Sequence, residues 1–262
     1  MTYTHITVER SHQERVATVT LRRPEVHNAF NAQVVADLTD AFTELSSDTA
    51  LHAVILTGEG PSFSAGADLN QMKAAATVTA QENLDDALRL SDLLYTVNTC
   101  PVPVIARVNG TAMGGGLGLI AVCDLAIAAE SARFAFSEVK LGIAPAVISP
   151  FVIRKIGENN ARVLFVTGER FSTARALSIG LVHAVVSTEL LDDAVQKAIA
   201  ELLTSAPQAL RECKKLALSV GQMSYEQARG YTAETIARLR ISEEGQEGLR
   251  AFLEKRKANW IV

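Results

Sequence analysis

The sequence predicts an α/β fold that ends in a helical region, and three observations carry that prediction. Short apolar runs bounded by glycine, proline or polar turns recur as far as Val186: "RVATVTLRRP", "HAVILTGEG", "PVIARVNG", "DLAIAAESARFAFS" and "LVHAVV". Helical stripes lie between some of them. From Ser187 onward no run reads as a strand. Several of the apolar runs have no polar alternation, which implies a sheet covered on both faces.

Taken in order, the run from Arg15 to Pro24 reads as the first strand. "NAQVVADLTDAFTELSSD" then places Val34, Leu38, Phe42 and Leu45 on one helical face. "HAVILTGEG" is a second strand, and "QENLDDALRLSDLLYTV" carries a second helical stripe. "PVIARVNG" and "DLAIAAESARFAFS" return to strand texture, and "LVHAVV" closes the series. Beyond it, Ala206-Pro207 and Gly221 to Ser224 punctuate consecutive helices. We therefore expect a strand–helix core over residues 1–200 and a helical region over 201–262. Amphipathic helices leaving a core must bury their faces, so an oligomer is expected.

Composition narrows the function. The 262 residues are 48% hydrophobic, ample for a core, and the net charge of −4 with a pI near 5.8 provides no basic field for nucleic acid. "MTYTHITVER" lacks the features of a signal peptide, and the 16 uncharged residues between Arg107 and Asp124 fall short of the ~20 apolar residues that span a bilayer. A cytoplasmic protein without membrane association is expected. Cys100, Cys123 and Cys213 are widely spaced in apolar sequence and read as buried free thiols; no metal site is indicated. None of His5, His12, His27, His52 and His183 lies in a motif that would activate a thiol.

The informative stretch is "GTAMGGGLGLIAVCD", Gly110 to Asp124. Gly116, Gly118 and Ala121 fit G-x-G-x-x-A, but Asn109 to Gly115 separate them from the strand, where a dinucleotide site needs a tight turn. Glu130 also follows Gly116 by only 14 residues, against the ~20 that such a site requires. A dinucleotide-dependent oxidoreductase is thus disfavoured. Glycines before an apolar helix instead leave backbone N–H groups unpaired at the positive end of the helix dipole, open to an oxygen that gains charge during reaction. One N–H is weak, and "SFSAGADLNQM", Ser62 to Met72, offers a second small-residue turn, with a strand expected through Ala65 and Gly66 and Asp68 near a helix N-cap.

"FSAGADLNQM", "VNGTAMGGGLGLIAVCD" and "SARFAFSEVKLGIAP" together resemble, in order and spacing, the enoyl-CoA hydratase/isomerase, or crotonase-like, family. "VTLRRPEVHNAFN", "TGERFSTARALSIGLVHAVV" and "EGLRAFLEKRKANW" extend the resemblance over nearly the whole chain. It implies a spiral of repeated β-β-α units, a homotrimer or dimer of trimers built through the C-terminal helices, and an acyl-CoA thioester substrate with no separate cofactor. By motif position it implies an oxyanion hole from the N–H groups of Ala67 and Gly115. It also implies a substrate-binding set of Arg23, Ala29, Ala65, Gly66, Asp68, Leu69, Gly114 and Gly118. Lys255, Arg256 and Lys257 would meet a CoA phosphate or form an ordinary solvated helix end.

Many hydratases of that family carry two glutamates; here the first position is Gly118 and the second is Glu138. Hydration needs a base for water and an acid for Cα, so one carboxylate must do both, or the reaction must need only one. A lone glutamate is the arrangement of enoyl-CoA isomerases. "SEVKLGIAPAVISPFV", however, resembles branched-chain hydratases of the methylglutaconyl-CoA and isohexenylglutaconyl-CoA type, which points to hydration of a branched enoyl-CoA, with isomerisation or non-catalytic acyl-CoA binding as alternatives. Glu138 is expected in a pocket dressed by Phe134, Phe136 and Ile143 that raises its pKa. Asp124 should be tied to backbone or an arginine, Lys140, Arg133 or Arg154 should supply a cation for a carboxylated acyl chain, and Gly118 should leave room beside it.

Overall fold

The computed structural model describes residues 3–74 and 77–261, without the side chains of Leu69, Asn70 and Ala74. Its framework is a six-stranded sheet. β1 (Ile6–Ser11) pairs antiparallel with β2 (Val16–Leu21), and α1 (Ala32–Ser47) leads to β3 (Ala53–Gly58), parallel to β2. Asn31 caps α1 by accepting from Val34 N–H. A short β4 (Ser62–Ser64) precedes α2 (Leu69–Ala74) and α3 (Ala80–Thr99), the latter opened by a capping box between Thr79 and Glu82. β5 (Val104–Val108), β6 (Thr111–Met113) and α4 (Gly115–Val122) follow, then β7 (Leu125–Ala129), β8 (Arg133–Ala135) and α5 (Ser149–Thr167). β9 (Arg170–Ser172), α6 (Thr173–Ser178) and β10 (Ala184–Val186) complete the strand-bearing part.

The pattern from β3 onward is a repeat. A long strand in the large sheet (β3, β5, β7) turns into a short one (β4, β6, β8), and a helix returns the chain. The large sheet runs β1-β2-β3-β5-β7-β10 and the small one β4-β6-β8-β9. This is the spiral of β-β-α units expected from the sequence.

The burial of the large sheet explains its uniformly apolar strands. Val54, Leu56, Val104, Ala106, Ala126 and Ala128 face the main core, while Ala53, Ile55, Ile105, Ile127 and Ala129 face a second cluster completed by α7 (Leu191–Leu203). Both faces are dry. Of the small sheet the sequence signals only β8, inside "DLAIAAESARFAFS", and a strand near Ala65, because strands of three residues are too short to show a period; the mixed polarity of β1 hides it in the same way.

α8 (Pro207–Ser219), α9 (Tyr225–Ile241) and α10 (Glu243–Leu253) form the C-terminal part. Their contact with the sheet is pinned by polar side chains. Lys214 Nζ donates to Val102 O (3.1 Å) and Asp124 Oδ2 (2.6 Å), and Arg211 donates to the carbonyls of Asp48, Thr49 and Leu51. Asp124 is therefore tied to a lysine and to Val104 N–H, where an arginine was the alternative to backbone. Cys100 and Cys123 are buried as expected, but Cys213 is exposed because α8 turns it away from the core. Among the described residues no helix is long and apolar enough to cross a membrane.

Candidate active site

Two turns at the ends of neighbouring strands build one wall of a cavity. β4 stops at Ser64, short of the expected strand through Ala65 and Gly66, because Gly66 takes a left-handed φ of +83° and redirects the chain. The redirected segment pairs with the loop before α1: Phe30 N–H donates to Gly66 O (2.6 Å) and Asp68 N–H to Phe30 O (2.8 Å). That ladder leaves the N–H of Ala67, between them, with no partner among the described residues.

The second turn follows β6. Gly114 sits at φ +46°, donates to Ala135 O and accepts from Leu117 and Gly118, starting α4. The N–H of Gly115 therefore has no helical acceptor. A Cβ placed on Gly66 would lie 3.2 Å from Gly115 N, so the two turns abut.

Glu138 closes the group. It lies in a 3-10 turn, Ser137–Leu141, sealed when Gly142 adopts φ +76° and Ile143 N–H bonds Glu138 O (3.2 Å). A Cβ on Gly114 would come within 2.9 Å of Glu138 Oε1, so the carboxylate rests on the bare backbone beside the Gly115 N–H. Oε2 is buried without a hydrogen-bond partner. Desolvation pushes the carboxyl pKa up, against a smaller lowering by a backbone hydrogen bond.

These atoms face a cavity of about 680 Å³, bounded on the other side by α3 residues such as Asn83, Asp86, Ala87 and Leu90. Ala65, Ala67, Gly114, Gly115 and Glu138 line it, with Gly66 immediately behind. Arg23, Ala29 and Asp68 do not. Arg23 Nη1 instead bonds Asp68 Oδ2 (2.9 Å) and Ala29 O (2.7 Å), a buried brace that holds the first turn against the loop, so Asp68 is more than a helix cap. Leu69 begins α2, and its side chain lies outside the described residues.

Other expectations are corrected. The room expected beside Gly118 is taken: a Cβ there would meet Ile148 Cγ2 at 2.4 Å, and it is Ile148 that lines the cavity. Phe134 and Phe136 are core residues packed on Phe171 and Phe165, leaving Ile143 as the one member of that trio at the cavity. Arg133 caps the carbonyls of Glu130, Ser131 and Ala132, and Arg154 lies in another cleft; of the three proposed cations only Lys140 reaches the cavity. Arg256 is held by Glu247 and Glu254, so that basic cluster is not three free charges. Among the described residues no group of acids, histidines and cysteines could hold a metal. No local pattern marks Phe30, Ile148 or Arg170 as cavity residues, since they reach it through the fold; only the helical period of α3 points to a buried face.

Two unpaired backbone N–H groups beside a desolvated carboxylate are chemically able to receive a carbonyl oxygen and to move a proton next to it. The family model for enoyl-CoA hydratase/isomerase matches residues 11–261. The chain is 35% identical over 263 residues to a crotonyl-CoA hydratase of Syntrophomonas wolfei, covering 100% of this chain and 99% of that protein. An enoyl-CoA hydratase structure from Shewanella pealeana superposes with a TM-score of 0.93 at 39% identity, covering 98% of this chain and 96% of that one. Pseudomonas aeruginosa AtuE gives 0.96 at 33%, covering 99% and 100%. The chain belongs to the enoyl-CoA hydratase/isomerase family.

Proposed function

We propose that this protein is an enoyl-CoA hydratase in which Glu138 alone handles both proton transfers. The observation that carries the proposal is the juxtaposition of the Glu138 carboxylate with the Gly114–Gly115 backbone and the abutting Ala67 turn. The N–H groups of Ala67 and Gly115 hold the thioester oxygen. Glu138 takes a proton from water as the water oxygen bonds Cβ, and the electron pair of the double bond moves to the thioester oxygen. The protonated Glu138 then delivers its proton to Cα as the enolate collapses. CoA is part of the substrate, and the chemistry calls for no further cofactor.

Two observations favour a single carboxylate. Ile148 blocks the place of a second acid at position 118, and the other acid lining the cavity, Asp86, is held by Gln71 and Arg89. The same feature supports isomerisation, in which Glu138 moves a proton from C2 to C4. The test is turnover of a 2-enoyl-CoA and a 3-enoyl-CoA by wild type and Glu138→Gln. Hydration of the first, lost in the variant, supports the proposal; turnover of the second alone makes the protein an isomerase. Binding without turnover makes it an acyl-CoA carrier. The assembly belongs to the same proposal: Ile241, Phe252 and Leu253 are at least 77% exposed on α9 and α10, a face suited to a homotrimer or dimer of trimers. Sedimentation of the purified protein checks it.

A further inference from the structure

The small sheet orders the site groups along one line. Its strands run β4-β6-β8-β9, so the turns that follow the first three present Ala67, then Gly115, then Glu138. Arg170 comes next. It begins β9, and because β9 is antiparallel to β8, Arg170 pairs with Ala135 at the end of β8 from which Glu138 departs. Successive strands are ~4.8 Å apart, so each group lies about one strand further along than the last.

The side chain of Arg170 is directed by the same pairing. Phe134 and Phe171 oppose each other and point into the core, so Ala135 and Arg170 point to the opposite face, where both line the cavity. Lys140 reaches the same rim from the 3-10 turn. Its stem lies over Gly168, where an added Cβ would be 3.2 Å from Lys140 Cε, and Gly168 also lines the cavity.

The ionisable groups around the cavity do not balance. Asp86 and Arg89 pair with each other, and desolvation biases Glu138 toward its neutral form. Lys140 and Arg170 have no side-chain hydrogen bond or ion pair among the described residues. Two cations without a counter-ion thus stand at one end of a largely apolar cavity, on the side of Glu138 away from the Ala67 turn.

We infer that Lys140 and Arg170 form an anion subsite for a carboxylate at the distal end of the acyl chain. The inference deepens the hydratase proposal and rests on it for the direction of the substrate: the thioester oxygen sits at Ala67 and Gly115, Cα and Cβ lie beside Glu138, and the chain continues toward Arg170. A five-carbon dicarboxylic thioester has the required layout. Its far carboxylate lies beyond the reacting carbons, within reach of two long basic side chains, and arginine can bind it through two parallel N–H groups.

The test compares chains that differ only in that carboxylate. Binding of the unreactive glutaryl-CoA and pentanoyl-CoA is measured by calorimetry, and kcat/KM is measured for glutaconyl-CoA and 2-pentenoyl-CoA, on wild type, Lys140→Met, Arg170→Met and Lys140→Glu. Wild type should prefer the carboxylated chain by ~10-fold or more, each methionine variant should lower that ratio several-fold, and Lys140→Glu should lower it furthest. Circular dichroism identifies any variant that has failed to fold, leaving the others and the wild-type ratio to decide. A wild-type ratio near one overturns the inference, as does an equal loss on both chains, which would place the cations on CoA. If neither enoyl-CoA is hydrated while the glutaryl preference stands, the hydratase proposal fails and the subsite survives. Equal hydration of both chains with no binding preference is the reverse case.

Discussion

The two walls of the cavity are built on opposite principles. The wall formed by Ala65 to Asp68 and Gly114 to Gly118 is fixed by contacts that leave no space: Gly118 lies against Ile148, and the buried Arg23–Asp68 pair braces the turn. Among the described residues it brings the unpaired backbone N–H groups of Ala67 and Gly115 to the cavity. The adjoining 3-10 turn and the loop after it carry exposed apolar side chains, Leu141 and Ile143, beside Glu138 and Lys140, whose side chains have no partner among the described residues. In the mechanism proposed above, the first wall supplies preorganised electrostatics and the second the reactive and selective side chains. Changes in the first should act through the fold, and changes in the second through chemistry or substrate choice.

The largest expected effect separates the two. Glu138→Gln keeps the shape of the side chain but removes its ability to accept a proton, and general acid–base catalysis is worth about 10²–10⁴-fold. A fall in kcat of ~10³-fold is expected, close to 4 kcal/mol of barrier, with little change in melting temperature. Steady-state kinetics and a thermal melt on the same preparation measure both; a variant retaining a tenth of wild-type kcat would remove Glu138 from the mechanism.

Asp68→Ala attacks the rigid wall. It leaves the Arg23 guanidinium largely buried without its carboxylate, and breaking such a pair costs about 3 kcal/mol. Chemical denaturation should show that loss, accompanied by a raised KM as the Ala67 turn loosens. A loss of activity without a loss of stability would mean that Asp68 acts on substrate directly.

Gly118→Ala is a smaller perturbation of the same wall. The added methyl would approach Ile148 Cγ2 to 2.4 Å, an overpacking expected to cost about 2 kcal/mol. Shortening the opposing side chain with Ile148→Ala should recover part of the cost in the double variant, so the two effects should be non-additive. Additive losses in a double-mutant cycle would show that the two positions are not in contact.

The contrast between the walls also governs what could be read in advance. The large sheet was legible because strands buried on both faces cannot alternate, and β3, β5 and β7 show it in "AVILTG", "VIARV" and "LAIAA". The rigid wall was legible as glycine and alanine at two turns, since close approach permits nothing larger. Its bracing was not: that Arg23 turns inward to Asp68 depends on a contact across 45 positions, which no local pattern encodes. The same holds for Ile148 filling the space over Gly118, and for Arg170, which a three-residue strand delivers to the cavity. Glu138 stood out through its motif. Its lack of a partner is a property of the assembled pocket.

The smallest effect concerns pH, and here the two walls act on one group. Burial against the Gly114 backbone raises the Glu138 pKa above the ordinary carboxylate range, so the proton-accepting form appears later as pH rises. The profile of kcat/KM should rise with unit slope through a single ionisation in that raised range, and Glu138→Gln should lack the limb. Stability should move in the opposite sense. The folded state holds this proton more tightly than the unfolded chain, so its contribution is fully present below the unfolded pKa and is lost as pH rises through the folded one. Relative to Glu138→Gln, wild type should therefore lose melting temperature across the same interval in which it gains activity. If both proteins keep a constant difference in melting temperature there, the carboxylate is solvated and the rising limb belongs to another group.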